Sequence, residues 1–262
     1  MSATTPPYGE VTLSIDGPVA TLTLRRAAKL NALTPEMLEA LGGHLTTVAG
    51  SDARVVVLRG EGPKAFCVGA DITRFQGLTP VQMLAWTGLG HRVFDALAAL
   101  PQPTVAVVHA LAFGGGLELA LACDLRVAAD TAGLGLPEVG LGTVPGWGGT
   151  ERLTELVGRA RAKDIVLARR TVDGPTAEAW GLVNTCVSAE DLEPTVDDLV
   201  SRLAAGAPVA VTLAKQLIDA AANGAPARIL ERLAGAVTSA TEDLATGIAG
   251  FRTGTPPQFA GR

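Results

Sequence analysis

The chain has 262 residues, the size of one large domain or of one domain with a small appendage. Hydrophobic residues make up 48% of it and charged residues 18%, so it can bury a core and lacks the composition of a disordered chain. The net charge of −5, without a cluster of Lys and Arg, argues against nucleic acid as the main partner.

The cysteines and the lengths of the apolar runs indicate in which cell compartment the protein is found. Cys67, Cys123 and Cys186 have neither the even count of a disulfide framework nor the spacing of metal ligands, which indicates a reducing compartment. The sequence opens without a secretory signal, and no apolar run reaches the roughly 18 residues that a membrane-spanning helix needs. We therefore expect a cytoplasmic protein with no membrane partner.

The first hundred residues predict a hairpin, two helices and a strand. Two β-rich runs in residues 11–24 flank a turn, which is typical of a hairpin. Thr34 and Pro35 begin a helix as N-cap and first residue. Its apolar residues share one face: Met37, Leu38, Leu41, Leu45 and Val48. After a strand at 55–58 and a glycine-rich loop at 60–70, residues 79–82 (TPVQ) form a capping box for a helix to about Leu100.

Strands and helices continue to alternate up to residue 187, which predicts an α/β fold. Strands are expected at 104–108, 125–129 and 183–187, with Ser188 capping the next helix. The chain is then helical, and one apolar stripe marks the final helix: Ile229, Leu233, Val237, Ala240, Leu244 and Ile248. That stripe must pack against the core or another subunit. We divide the chain into a core (1–200) and a C-terminal helical region (201–262).

Several site classes are excluded by their missing motifs. The sequence contains no GxSxG elbow, no P-loop and no GxGxxG after a strand. His44, His91 and His109 lack the spacing of metal ligands, so no metal site is predicted.

Glu118 is the first candidate catalytic residue, because it lies in the first turn of an almost wholly apolar helical segment, 117–123. A helix that is apolar on all sides is buried, and burial raises the pKa of a carboxyl group. The alternative is that Glu118 only complements the helix dipole. Perturbed carboxyl groups concentrate in active sites, which favours function.

Two glycine-bearing loops could supply an oxyanion hole. Residues 67–71 (CVGAD) and 113–116 (FGGG) each follow a strand region and lead toward a helix. Such loops can direct two backbone N–H groups at one developing negative charge. Alternatively, the glycines only make tight turns. Asp71 is predicted to cap a helix.

Glu138 is the second candidate, on a loop bent by glycine and proline between residues 137 and 149. By itself a Glu after Pro is an ordinary surface residue. With Glu118 and an oxyanion hole, however, it indicates paired acid/base chemistry through an enolate-like state.

Four segments together resemble the crotonase, or enoyl-CoA hydratase/isomerase, superfamily. They are residues 29–33 (KLNAL), 64–72 (KAFCVGADI), 114–120 (GGGLELA) and 137–142 (PEVGLG), the last followed by Pro145-Gly146. The resemblance covers nearly the whole chain. It implies a spiral of ββα units and a C-terminal helical trimerisation region, in a homotrimer or a dimer of trimers.

The resemblance also implies a reaction and a set of residues. An acyl-CoA thioester is the substrate, so coenzyme A is part of the substrate and no separate cofactor is expected. Ala70 and Gly115 donate the oxyanion N–H groups, and Glu118 and Glu138 are catalytic. Because isomerases of the family often keep only the second glutamate, a hydratase that adds water across the C2–C3 double bond is favoured. The remaining substrate-binding residues are Lys29, Leu30, Asp71, Ile72, Gly146 and Trp147.

Trp147 departs from the family pattern, since this position near the acyl pocket is usually small. It could restrict the length of the acyl chain. Two alternatives to the hydratase stay open: an enoyl-CoA isomerase of the same fold, and a non-catalytic acyl-CoA-binding protein whose pocket Trp147 blocks.

Overall fold

Strands and helices alternate through the first two thirds of the chain, which confirms the predicted α/β fold. The computed structural model describes residues 6–75 and 77–262. Its strands are β1 (Glu10–Asp16), β2 (Val19–Arg25), β3 (Val55–Gly60), β4 (Ala65–Cys67), β5 (Thr104–Val108), β6 (Leu111–Phe113), β7 (Leu125–Ala129), β8 (Gly133–Gly135), β9 (Val172–Asp173) and β10 (Thr185–Val187). Its helices are α1 (Pro35–Ala49), α2 (Pro80–Ala98), α3 (Gly115–Leu121), α4 (Gly149–Leu167), α5 (Gly174–Trp180), α6 (Leu192–Ala204), α7 (Pro208–Ala222), α8 (Ala227–Ser239) and α9 (Glu242–Thr253).

The main sheet has the strand order β1-β2-β3-β5-β7-β10. β1 and β2 form the predicted antiparallel hairpin, and the other strands pair in parallel. Alternate side chains of a strand point to opposite faces. Val56 and Leu58 therefore join the larger core, while Val55 and Val57 pack on the other face against three residues of α6: Leu192, Val196 and Val200. Both faces are covered, as is usual for parallel strands.

A second, smaller sheet has the order β4-β6-β8-β9. The prediction of a loop over residues 60–70 is wrong, because β4 lies within them, and β6, β8 and β9 were not predicted. These strands have two or three residues each. A run that short is below the usual strand length and shows no readable alternation of apolar and polar residues.

The two sheets are connected by a repeated ββα unit, as the resemblance implies. β3, β4 and α2 form one unit, β5, β6 and α3 the next, and β7, β8 and α4 the third. In each unit a strand of the main sheet is followed by a strand of the small sheet. Because β4, β6 and β8 are parallel neighbours, the loops that follow them lie side by side.

The predicted caps of the first two long helices are confirmed. The Thr34 hydroxyl accepts a hydrogen bond from the Met37 N–H at the start of α1, and all five predicted apolar residues of that helix are buried. At the start of α2, Thr79 and Gln82 make both hydrogen bonds of a capping box. Local sequence chemistry thus fixes where both helices begin.

The C-terminal region differs from the prediction at two points. The expected final helix is two helices, α8 and α9, because Thr241 has an extended backbone and begins a new helix with acidic residues in its first turn. Ser188 does not cap α6, because that helix begins only at Leu192. The Ser188 hydroxyl instead donates a hydrogen bond to the Asp191 carboxylate and accepts one from the Asp191 N–H. Side chains of the apolar stripe are 44–61% exposed in the single chain: Ile229, Leu233, Val237, Leu244 and Ile248.

The division of the chain at residue 200 stays a prediction. That position falls within α6, whose Leu192, Val196 and Val200 pack on the main sheet. In the described part of the chain, no helix is both long enough and apolar enough to span a bilayer.

Candidate active site

The loops after β4, β6 and β8 open into one cavity of about 430 Å³. The cavity is where the small sheet brings together residues that are far apart in sequence. Seven of the predicted site residues line it: Ala70, Ile72, Gly115, Glu118, Glu138, Gly146 and Trp147. The ββα repeat therefore gathers both candidate glutamates and both candidate N–H donors into one space.

The first loop presents the N–H of Ala70. Leu33 forms a parallel bridge with Ala70, in which the Leu33 N–H donates to the Gly69 carbonyl (2.7 Å) and the Leu33 carbonyl accepts from the Asp71 N–H (2.8 Å). The bridge thus takes up the Gly69 carbonyl and the Asp71 N–H, on either side of Ala70, in hydrogen bonds. Within the described residues, no acceptor is found for the Ala70 N–H itself.

The second loop presents the N–H of Gly115, the first residue of α3. An N–H in the first turn of a helix has no acceptor within that helix. Gly69 has φ +89°, and a Cβ built there would lie 2.7 Å from the Gly115 nitrogen. The two loops are therefore packed together at Gly69, and both Ala70 and Gly115 line the cavity.

Glu118 is buried, with 2% of its surface exposed. Its Oε1 accepts hydrogen bonds from the N–H groups of Trp147 and Gly149, each 2.8 Å long. Burial raises the pKa of Glu118, and these N–H donors oppose that rise. Since the carboxylate binds a facing loop, it does more than complement its own helix.

Glu138 lies in a 3₁₀ turn, Glu138–Leu141, directly after β8. Its Oε2 is buried and has no hydrogen-bond partner among the described residues. Burial, with a contribution from the Glu118 charge, raises the pKa of Glu138 to about 7. Gly114, at φ +53°, leaves room for this carboxyl group, because a Cβ there would lie 2.9 Å from Oε1. The two carboxyl groups thus differ in their hydrogen bonding.

A known protein family matches most of the chain. The family model described as "Enoyl-CoA hydratase/isomerase" matches residues 14–262. The chain belongs to the enoyl-CoA hydratase/isomerase family.

Relatives in the family align over most of the chain. A short-chain-enoyl-CoA hydratase of Clostridium acetobutylicum is 38% identical, over 80% of this chain and 80% of that protein. A crotonyl-CoA hydratase of Syntrophomonas wolfei is 37% identical, over 82% of each chain. The crystal structure of an enoyl-CoA hydratase from Bacillus anthracis superposes with a TM-score of 0.93 at 33% identity, covering 96% of this chain and 99% of that one. The resemblance seen in the sequence is confirmed.

Three predicted substrate-binding residues of this family member lie outside the cavity lining. Asp71 caps a short 3₁₀ helix, as predicted. Although burial alone would raise its pKa, hydrogen bonds from Thr73 and Arg26 hold that pKa below the usual value. Leu30 lines a separate cavity of about 230 Å³ together with Lys64. Lys29 ends the neighbouring 3₁₀ helix.

Sequence reasoning missed much of the apolar lining in this family member. Phe75, Met83 and Trp86 line the cavity from the start of α2 and the loop before it. The helix that carries Met83 and Trp86 was predicted, but nothing in its sequence shows which face meets the glutamates. The sequence has only ten aromatic residues, and two of them, Phe75 and Trp86, pack against each other at this cavity. The closeness of these two rare residues in the sequence was the one signal that could have indicated the lining.

The loop that binds Glu118 is itself held by Arg152. The Arg152 guanidinium donates to the Trp147 carbonyl (3.1 Å) and pairs with Asp95 of α2 (2.6 Å). The side of the loop opposite Glu118 is thereby anchored to α2 and α4. This anchor was also missed, because it joins residues 57 positions apart in sequence.

Proposed function

We propose that the chain is an enoyl-CoA hydratase, which adds water across the C2–C3 double bond of a 2-enoyl-CoA thioester to give a 3-hydroxyacyl-CoA. One observation carries this proposal: Glu118 and Glu138 line the same cavity as two backbone N–H donors. The names of two relatives, a short-chain-enoyl-CoA hydratase and a crotonyl-CoA hydratase, support it.

The N–H groups of Ala70 and Gly115 form the proposed oxyanion hole. When the water oxygen bonds to C3, the π electron pair of C2–C3 moves toward the thioester and makes an enolate. Two N–H donors stabilise the negative charge on its oxygen. Each such donor contributes about 3–4 kcal/mol to transition-state stabilisation in comparable sites.

Glu118 is the proposed base. Two N–H donors on Oε1 favour its ionised form and hold the carboxylate in place. It accepts a proton from the water that attacks C3.

Glu138 is the proposed acid. Its pKa of about 7 keeps a large fraction protonated near neutral pH. It donates that proton to C2, which restores the thioester carbonyl. One water is consumed, and the proton on Glu118 must return to Glu138 before the next turnover.

Coenzyme A enters this proposal as part of the substrate, with no separate cofactor. Lys29 and Leu30 are assigned to its far end, and Asp71 and Ile72 to the path toward the thioester. The smaller cavity, which Leu30 and Lys64 line, supports the assignment of the far end of coenzyme A to that place. Ile72 lines the main cavity together with both glutamates, which supports its assignment to the path of the thioester.

The proposed enzyme is a homotrimer or a dimer of trimers in the cytoplasm. The exposed apolar stripe of α8 and α9 supports assembly, because it offers a neighbour several large hydrophobic side chains: Ile229, Leu233, Val237, Leu244 and Ile248. The odd count and the spacing of Cys67, Cys123 and Cys186 support a reducing compartment. Light scattering on the purified protein measures the subunit number.

The direct test follows the loss of enoyl-thioester absorbance with crotonyl-CoA. We expect turnover by the natural chain and a loss of about 10²–10⁴-fold in kcat for Glu118→Gln. Gln keeps an oxygen for the two N–H donors but cannot take the proton. Full activity of Glu118→Gln would contradict the assigned role. Binding of crotonyl-CoA by calorimetry without turnover would favour the non-catalytic alternative.

The isomerase alternative predicts a different pair of results. It requires that 3-enoyl-CoA be converted to 2-enoyl-CoA and that Glu118→Gln cost little of that activity. The N–H donors that fix Glu118 in the cavity favour the hydratase, because isomerases of the family often keep only the second glutamate.

A further inference from the structure

An aromatic wall closes one side of the cavity beside the glutamates. It consists of Phe75, Trp86 and Trp147, with Phe94 behind it. The Trp147 indole is 3% exposed and meets Trp86 and Phe94 edge to face, with ring centroids 5.3 Å apart in both pairs. Phe75 extends the wall by packing against Trp86 at 5.8 Å. Four of the chain's ten aromatic residues are therefore in this one cluster.

The Trp147 indole fits between Gly90 and Gly115, and at neither position is there room for a Cβ atom beside the ring. A Cβ on Gly90 of α2 would lie 2.1 Å from the indole Nε1, and a Cβ on Gly115 of α3 would lie 2.4 Å from Cζ3. The ring is thus enclosed by α2, α3 and two further aromatic rings. Since a packed interior resists rearrangement, the indole cannot move aside for a longer ligand without disturbing both helices.

The indole also lies next to the reacting part of the proposed substrate. Its Cζ3 edge faces Gly115, which carries a proposed oxyanion N–H, and the Trp147 backbone N–H binds Glu118. An acyl chain whose thioester oxygen is bound at Gly115 therefore begins close to this ring. The 430 Å³ cavity must hold the thioester, the water and the inner end of the CoA arm as well as the acyl chain.

We infer that Trp147 is a specificity-determining residue and that its side chain restricts the enzyme to short 2-enoyl chains, with crotonyl-CoA preferred over 2-octenoyl-CoA. The inference rests on the proposed hydratase function. The backbone of Trp147 holds the base and its side chain limits the substrate, so the two roles can be separated by mutation. Shortening the side chain leaves the N–H that binds Glu118.

The test compares kcat/KM for crotonyl-CoA and for 2-octenoyl-CoA in three proteins: the natural chain, Trp147→Ala and Trp147→Phe. A single methylene group in an apolar pocket changes specificity by about tenfold or more. We expect Trp147→Ala to raise the ratio of octenoyl to crotonyl activity at least tenfold. Trp147→Phe should raise it by a smaller factor, and it keeps the inference testable if the Ala variant does not fold.

Phe94→Ala is the matched control. Phe94 is fully buried against the far side of the indole and does not line the cavity. The substitution loosens the same cluster from behind, so it should lower the melting temperature and leave the substrate ratio within about twofold of the natural value. A rise in the ratio as large as that of Trp147→Ala would mean that general loosening, and not removal of the wall, controls chain length.

Gly90→Ala tests the wall from the other direction. The new methyl group would overlap the indole, so the ring and α2 should shift relative to each other, which should reduce kcat/KM for crotonyl-CoA. In the Trp147→Ala background the same substitution meets no ring and should cost little. Such non-additivity is the expected signature of direct contact.

The two hypotheses fail in different ways. Hydration of neither substrate would overturn the hydratase proposal and this inference with it. Equal activity of the natural chain on both substrates, or an unchanged ratio in active Trp147 variants, would overturn the inference alone. A crotonyl preference that Trp147→Ala relaxes and Phe94→Ala does not would support it.

Discussion

The raised pKa of Glu138 makes a quantitative prediction about the effect of pH on activity. If Glu138 must be protonated to donate to C2, kcat/KM should fall as the pH rises through its pKa of about 7 in the free enzyme. Half of the Glu138 carboxyl groups are protonated at pH 7 and roughly one in a hundred at pH 9. The expected loss between these two pH values is therefore about fiftyfold.

The cause of the raised pKa supplies a second measurement. Burial of Glu138 is the main cause, and the negative charge of Glu118 adds to it. In Glu118→Gln that charge is absent, so the pKa of Glu138 should fall. The alkaline limb of the residual activity should then move to lower pH, by less than the whole shift, since burial of Glu138 is unchanged.

The assay is the absorbance of crotonyl-CoA, followed from pH 5.5 to 9.5 with the natural chain and with Glu118→Gln. Gln is the matched replacement, because it keeps the shape of the side chain and an acceptor for the Trp147 and Gly149 N–H groups. A kcat/KM that stays level between pH 6 and pH 9 would refute Glu138 as the acid. A limb that moves to higher pH in Glu118→Gln would refute the electrostatic coupling of the two carboxyl groups.

Two further predictions concern stability and the oxyanion loops. Burial raises the pKa of Glu138 from its ordinary value of 4.5 to about 7 in the folded chain, so the folded chain binds more protons than the unfolded chain between pH 4.5 and pH 7 and loses stability as the pH rises through that range. Glu138→Gln should therefore raise the unfolding free energy by about 1–2 kcal/mol at pH 8 and by less at pH 5, and denaturant titrations that give equal effects at both pH values would contradict this. Gly69→Ala should lower kcat about 10–100-fold with less change in KM, because its Cβ would overlap the Gly115 nitrogen. Gly17→Ala is its control in steady-state assays, since Gly17 also has positive φ (+53°) but no atom within 4 Å of a Cβ there; equal losses of kcat would show that backbone strain alone is responsible.

The features that could be predicted from the sequence are those that depend on residues close together in the chain. The caps at Thr34 and Thr79 act within three residues, and the apolar face of α1 follows from the helical period. Glu118 was found for a similar reason, because a carboxylate within an apolar helix must be buried. The break at Thr241 was missed because an apolar spacing of three and four residues continues across two helices that follow one another.

The contacts that complete the site could not be predicted from one sequence. The partners of Glu118 are backbone N–H groups at Trp147 and Gly149, about thirty positions away, and every residue but proline carries such a group. The bridge that exposes the Ala70 N–H depends on Leu33 in the same way. The sequence could name the acids and the glycine-rich loops, but long-range packing decides which N–H groups they meet.

In the small sheet, the backbone of β4, β6 and β8 places the loops of the site, and side chains form the wall of the cavity. Neighbouring strands are separated by about 4.8 Å whatever their sequence, so the spacing of the loops that carry Ala70 and Gly115 is a property of the backbone. Trp147 and Trp86 line the cavity but lie in none of these strands. Substitutions in the cavity wall should therefore change which acyl group the proposed enzyme accepts and leave the two proposed oxyanion donors in place.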